Sequence, residues 1–138
     1  MKRLFLIIAT LLCLVGCKKE EPQVGRGGDD VILNVSETEL HFYGTERSTQ
    51  SFTIESNYAW ELSYHFDGDI ESVSPMQGGS HNPSITIPEI IYVTVPAVVD
   101  SVEAGTKYYC GIIHIRAFDP TIPERTYQIA EVTVYRHY

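Results

Sequence analysis

The sequence predicts an all-β domain built as two packed antiparallel sheets of about seven to eight strands. Three observations carry that expectation. From Val31 onward apolar and polar residues alternate with period two in stretch after stretch, the pattern of strands with one buried face. Clusters of Gly, Pro, Asp, Asn and Ser separate the stretches at short intervals. No stretch repeats its apolar residues at helical spacing. Short strands in this number, over about 108 residues, point to an immunoglobulin-like β-sandwich.

The elements follow in order. Val31, Leu33 and Val35 recur at every second position, and Leu40 and Phe42 alternate with His41 and Tyr43. Gly44-Thr45-Glu46 then reads as a turn. Phe52 and Ile54 continue the pattern, followed by Trp60, Leu62, Tyr64 and Phe66 with Glu61, Ser63 and His65 between them. Asp67-Gly68-Asp69 and Gly78-Gly79-Ser80-His81-Asn82-Pro83 read as turns. Further strands are expected at Ser84 to Ile87, Ile90 to Val95, Tyr108 to Phe118 and Tyr127 to Tyr135, with Ala104-Gly105 as a turn before the third of these. In the last strand Ala130, Val132 and Val134 should face inward.

The 138 residues carry 10 Lys+Arg against 18 Asp+Glu, a formal net charge of −8, with 43% hydrophobic and 20% charged residues. Disorder and fibrous structure are excluded by that balance. An acidic chain does not attract nucleic-acid phosphate, so no nucleic-acid partner is expected.

The first 16 residues stand apart. Lys2 and Arg3 precede an apolar run from Leu4 to Val15, shorter than the roughly 20 residues of a membrane span. The run reads as a secretory signal. It ends in Leu14-Val15-Gly16-Cys17, which resembles the lipobox of bacterial lipoproteins. That resemblance implies cleavage before Cys17 and lipidation of its thiol. Loss of Lys2 and Arg3 leaves eight Lys+Arg against 18 Asp+Glu, so the mature chain would carry −10. A two-chain anchor holds stably, while the acidic body is repelled by anionic headgroups.

Lys18-Lys19-Glu20-Glu21 follows, then Pro22 and Gly25-Arg26-Gly27-Gly28. A basic residue and two acids beside a lipidated Cys resembles the surface-export signal of Bacteroidetes lipoproteins. The expected organisation is a signal peptide over 1–16, a lipidated Cys and flexible tether over 17–30, and one domain over 31–138. The expected location is the outer membrane, facing the cell exterior.

Within the domain, Leu33-Asn34-Val35-Ser36, Leu40-His41-Phe42 and the run Phe52 to Ser63 resemble the BACON domain (Bacteroidetes-associated carbohydrate-binding, often N-terminal). Ser56, Asn57 and Trp60 form its most telling element, and Val73-Ser74-Pro75 with Gly78-Gly79 resembles its next stretch. The resemblance implies an immunoglobulin-like fold and a glycan-associated setting. Expected partners are glycan or mucin, or outer-membrane proteins in an assembly, with no catalysis and no cofactor.

Candidate residues follow from chemistry. Trp60 lies in register with Leu62, Tyr64 and Phe66, which assigns it to the core. Tyr43, Tyr58, Tyr127 and Tyr135 fall opposite inward residues or beside turns, so they are the candidate sugar-stacking rings. Asp67-Gly68-Asp69-Ile70-Glu71 lacks the twelve-residue loop pattern of a strong calcium site and reads as a solvated acidic hairpin. The five histidines show no zinc spacing. Cys110 lacks a partner once Cys13 leaves with the signal and Cys17 is lipidated, so it reads as a small buried hydrophobe. Asp100-Ser101-Val102 resembles the Asp-Ser/Thr-aliphatic acceptor of Bacteroidetes O-glycosylation, which marks Ser101.

Overall fold

The computed structural model describes residues 31–65, 69–80, 82–121 and 127–138. The expected signal peptide, Cys17, the tether, Phe66, Asp67, Gly68 and His81 lie outside them. The described residues form nine strands and no helix: β1 (Leu33–Val35), β2 (Glu39–Tyr43), β3 (Ser48–Ser56), β4 (Ala59–Tyr64), β5 (Ser72–Ser74), β6 (Gln77–Gly79), β7 (Ile87–Val95), β8 (Lys107–Phe118) and β9 (Tyr127–His137).

They make two sheets, one ordered β1-β3-β7-β5 and the other β2-β9-β8-β4-β6. One core serves both: Phe52, Ile54, Ile91 and Val93 from the first sheet join Phe42, Trp60, Ile113, Ile115, Val132 and Val134 from the second. The architecture is all-β and two-sheeted, consistent with a sandwich.

Several sequence expectations need correction. Nine strands form rather than seven or eight, because Ser72–Ser74 and Gln77–Gly79 each add a three-residue strand. Neither stretch holds two apolar residues, so neither has an alternation to read. The sheets are not wholly antiparallel either: β2 pairs with β9 in parallel, from Glu39 opposite Thr133 to Tyr43 opposite His137. The chain leaves β1 in one sheet and crosses through Ser36-Glu37-Thr38 into the other, so its direction there is set by the crossing. Finally, no strand forms over Ser84 to Thr86, and the strand begins at Ile87.

Gly78 and Gly79 are in a strand, not a turn, and both must be glycine. A Cβ on Gly78 would come within 2.6 Å of Trp60 Cζ2 and 2.5 Å of a Glu89 carboxylate oxygen. Gly79 has φ +103°, and a Cβ there would run into the Tyr58 carbonyl and come within 2.8 Å of Ala59 Cα. The two glycines leave room for the Trp60 indole and Glu89.

The β8–β9 ladder carries a bulge between Tyr109 and Gly111. Cys110 is the extra residue at the bulge and is buried; beyond it the buried set is Ile113, Ile115 and Ala117. The bulge shifts the alternation by one residue, so Lys107 and Tyr109 keep the same outward face as Ile112, His114, Arg116 and Phe118. Cys110 is buried, as expected, and burial pushes its thiol up to about 11, so the thiol stays protonated at neutral pH.

Candidate functional site

The outer face of the second sheet presents aromatic side chains at the β2-β9-β8 end. Strand register puts His41 opposite Tyr135 and Tyr43 opposite His137. The β8–β9 ladder then sets Tyr109 opposite Tyr135 and Lys107 opposite His137. Cross-strand neighbours on one face lie about 5 Å apart, close enough for upright rings to meet.

They do. His41 stacks on Tyr135 with centroids 5.5 Å apart and planes at 13°, and Tyr43 stacks on His137 at 4.9 Å and 18°. Tyr109 meets Tyr135 edge-on at 6.2 Å. Hydrogen bonds lock the middle: His41 Nε2 reaches Glu39 Oε2 at 3.0 Å, and His41 Nδ1 reaches His137 Nε2 at 2.8 Å. With His41 donating from Nε2 to the carboxylate, Nδ1 accepts from the His137 N–H. Gln50 Nε2 donates to the His41 carbonyl on the outer edge of β2, which occupies that edge.

The candidate tyrosines separate by environment. Tyr43 is 71% exposed; His137 covers one ring face, and the other looks outward from an edge strand. Tyr135 is half-buried, with the His41 ring on its β2 side and the Lys107 ammonium 3.8 Å from its centroid on its β8 side. It supports its neighbours rather than offering a face of its own. Tyr58 is 7% exposed, which corrects the expectation that it reaches solvent. Its backbone carbonyl receives the Ser80 N–H at 3.3 Å, and its ring joins the core where the chain turns from β3 into β4.

Tyr127 is 47% exposed and belongs to a second cluster at the other end of the same face. There Arg116 lies 5.1 Å from the Phe118 centroid and 5.2 Å from that of Tyr127, and Ile129, 60% exposed, adjoins them. Sequence reasoning missed Tyr109, His41 and His137 as members of this face. The alternation of β2, β8 and β9 held that signal, but only the parallel β2–β9 pairing brings the rows together.

The other candidates have structural roles. Trp60 is buried, and its Nε1–H donates to Glu89 Oε2 at 2.7 Å; the same oxygen accepts the Gly79 N–H at 2.7 Å. Asn57 is buried as well: its Oδ1 accepts from Ile32 N–H at 2.7 Å and its Nδ2 donates to the Pro83 carbonyl at 3.0 Å. Ser56 Oγ accepts from Tyr58 N–H at 3.1 Å. The Ser-Asn-x-x-Trp element thus fixes the β3–β4 corner.

Asp69 accepts from the Tyr108 hydroxyl at 3.1 Å, and Glu71 takes a forked pair of bonds from Arg47, which holds its carboxyl below the usual range. Among the described residues no group of three or more His, Cys, Asp or Glu side chains is placed to hold a metal ion. Ser101 is exposed in the segment after β7.

No family model and no curated protein matches the chain. Among solved structures, the Bacteroides ovatus GH5 xyloglucanase in complex with a XXXG heptasaccharide aligns at 14% identity and a TM-score of 0.47, over 79% of this chain and 19% of that one. The chain therefore spans about a fifth of that protein's length.

Proposed function

We propose that this chain is a non-catalytic binding module of BACON-like, immunoglobulin-like type, lipid-anchored through Cys17 at the outer membrane and displayed at the cell surface. Its ligand is a glycan, mucin glycans included. The aromatic face built from Tyr43, His137, Tyr135, His41 and Tyr109 is the observation that carries this reading. Sugars present faces of C–H groups that pack on aromatic rings, while their hydroxyls need polar groups alongside. Here Glu39, Lys107 and the tyrosine hydroxyls stand beside exposed ring surface. The reading also includes a glycan on Ser101, whose exposure supports access by a transferase.

The full chain purified in detergent, applied to a glycan array and to immobilised mucin, tests it. Binding is expected, and Tyr43→Ala should weaken it at least about tenfold. Removing a ring that is 71% exposed should change stability by no more than about 0.5 kcal/mol. Signal at background on both surfaces overturns the reading.

A second reading rests on the opposite sheet. Ile90 and Tyr92 project from the outer face of β7 among Ser51, Thr53 and Ser74, a surface poor in charge. That face suits a protein neighbour in an outer-membrane assembly. Loss of co-purifying outer-membrane proteins on Ile90→Lys would support this alternative.

A further inference from the structure

The two aromatic clusters share one face and one strand. Tyr127 and Tyr135 are eight residues apart on β9, an even number, so both point outward. At about 3.3 Å per residue they are roughly 26 Å apart. Between them Ile112 pairs with Thr133, His114 with Glu131 and Arg116 with Ile129, all on the same face.

The ionisable groups along this path already have partners. His114 Nδ1 lies 3.0 Å from Glu131 Oε1, and Arg116 Nη1 lies 3.5 Å from Glu61 Oε1. The middle of the face offers polar groups that are already paired with one another, on a chain whose net charge is −8.

We propose that the face binds one uncharged, extended oligosaccharide chain along β9, with its ends on the Tyr43–Tyr109 and Phe118–Tyr127 clusters. This inference rests on the glycan reading and adds the ligand's length and charge. Either cluster alone gives a small contact. Joining two such contacts through one ligand makes the second intramolecular and raises affinity without any new group. A polyanionic glycan finds no unpaired cation in the middle of this path and is repelled by the acidic domain. The sheet's right-handed twist turns one cluster relative to the other, so the ligand must wind with it, which a single soluble chain can do.

The test measures affinity of the full chain in detergent for neutral glucan, mannan and xylan oligosaccharides, from disaccharide to octasaccharide, with heparin and polysialic acid as charged probes. Affinity for at least one neutral series should rise at least about tenfold between trisaccharide and octasaccharide. Tyr127→Ala and Tyr43→Ala should each remove that rise, with thermal midpoints unchanged. An affinity already saturated at the trisaccharide, or a long-chain affinity indifferent to Tyr127→Ala, overturns the two-cluster proposal and leaves the glycan reading standing. Tighter binding of the charged probes than of any neutral series overturns the uncharged assignment. Silence from every probe, with binding absent on the array as well, overturns the glycan reading and this proposal together.

Discussion

Trp60 is held by a carboxylate from the other sheet, and that contact decides what the residue can do. Its indole is buried, its N–H is spent on Glu89, and its benzo edge rests against Gly78. A ring so enclosed cannot stack on a sugar. Trp60→Ala should therefore destabilise the domain by about 3–5 kcal/mol, read as a lower urea midpoint at unchanged slope. A midpoint shift near zero would return Trp60 to the list of binding candidates. Trp60→Phe should recover part of the loss, since it restores packing but leaves the Glu89 carboxylate short of one donor. The same logic explains why Ser56 and Asn57 accompany Trp60: their side chains satisfy backbone groups at a buried corner, where an unpaired N–H or C=O is costly.

β9 does the most to unite the fold. It pairs with β2 on one side and β8 on the other, and its Arg136 is buried with all three kinds of guanidinium nitrogen engaged. Nε donates to the Gly44 carbonyl, Nη1 to that of Pro96 and Nη2 to that of Glu46. One side chain thus ties the end of β9 to the β2–β3 turn and to the segment leaving β7. Arg136→Met removes the donors and strands three carbonyls, so a loss of about 2–4 kcal/mol is expected. Arg136→Lys should recover less than half of it, because an ammonium cannot reproduce the planar fork. Denaturant melts of the two variants check both numbers; a Lys variant as stable as the native chain would refute the role assigned to the fork.

At the scale of the molecule, the described residues of the two sheets share one core. Neither sheet can keep its buried face dry without the other, so they should unfold together. The chain has a single Trp, which lies at the contact between the sheets. Trp60 fluorescence should therefore change at the same urea concentration as the far-ultraviolet signal of the strands. Separated transitions would show that one sheet survives the loss of the other. The aromatic face lies on the outside of this unit, so its rings can be exchanged without disturbing the core.

Much of this was legible in the sequence because local physics determines it. Period-two alternation identified the long strands, assigned Trp60 to the interior and left Tyr43 and Tyr127 outside, since facing direction along an unbulged strand depends only on the count of residues. The short strands β5 and β6 escaped that count, and Gly78-Gly79 resembled a turn because a slot for an indole and a turn both require glycine. Tyr58 was misplaced because it lies at a corner, where alternation no longer tells inside from outside. The composition of the aromatic face was beyond sequence reading for a different reason. His41, Tyr43, Tyr109, Tyr135 and His137 are joined by pairing between strands far apart in the chain, and the parallel union of β2 with β9 follows from how the sheets pack. Alternation told which residues could face outward; only the tertiary pairing decided which of them would meet.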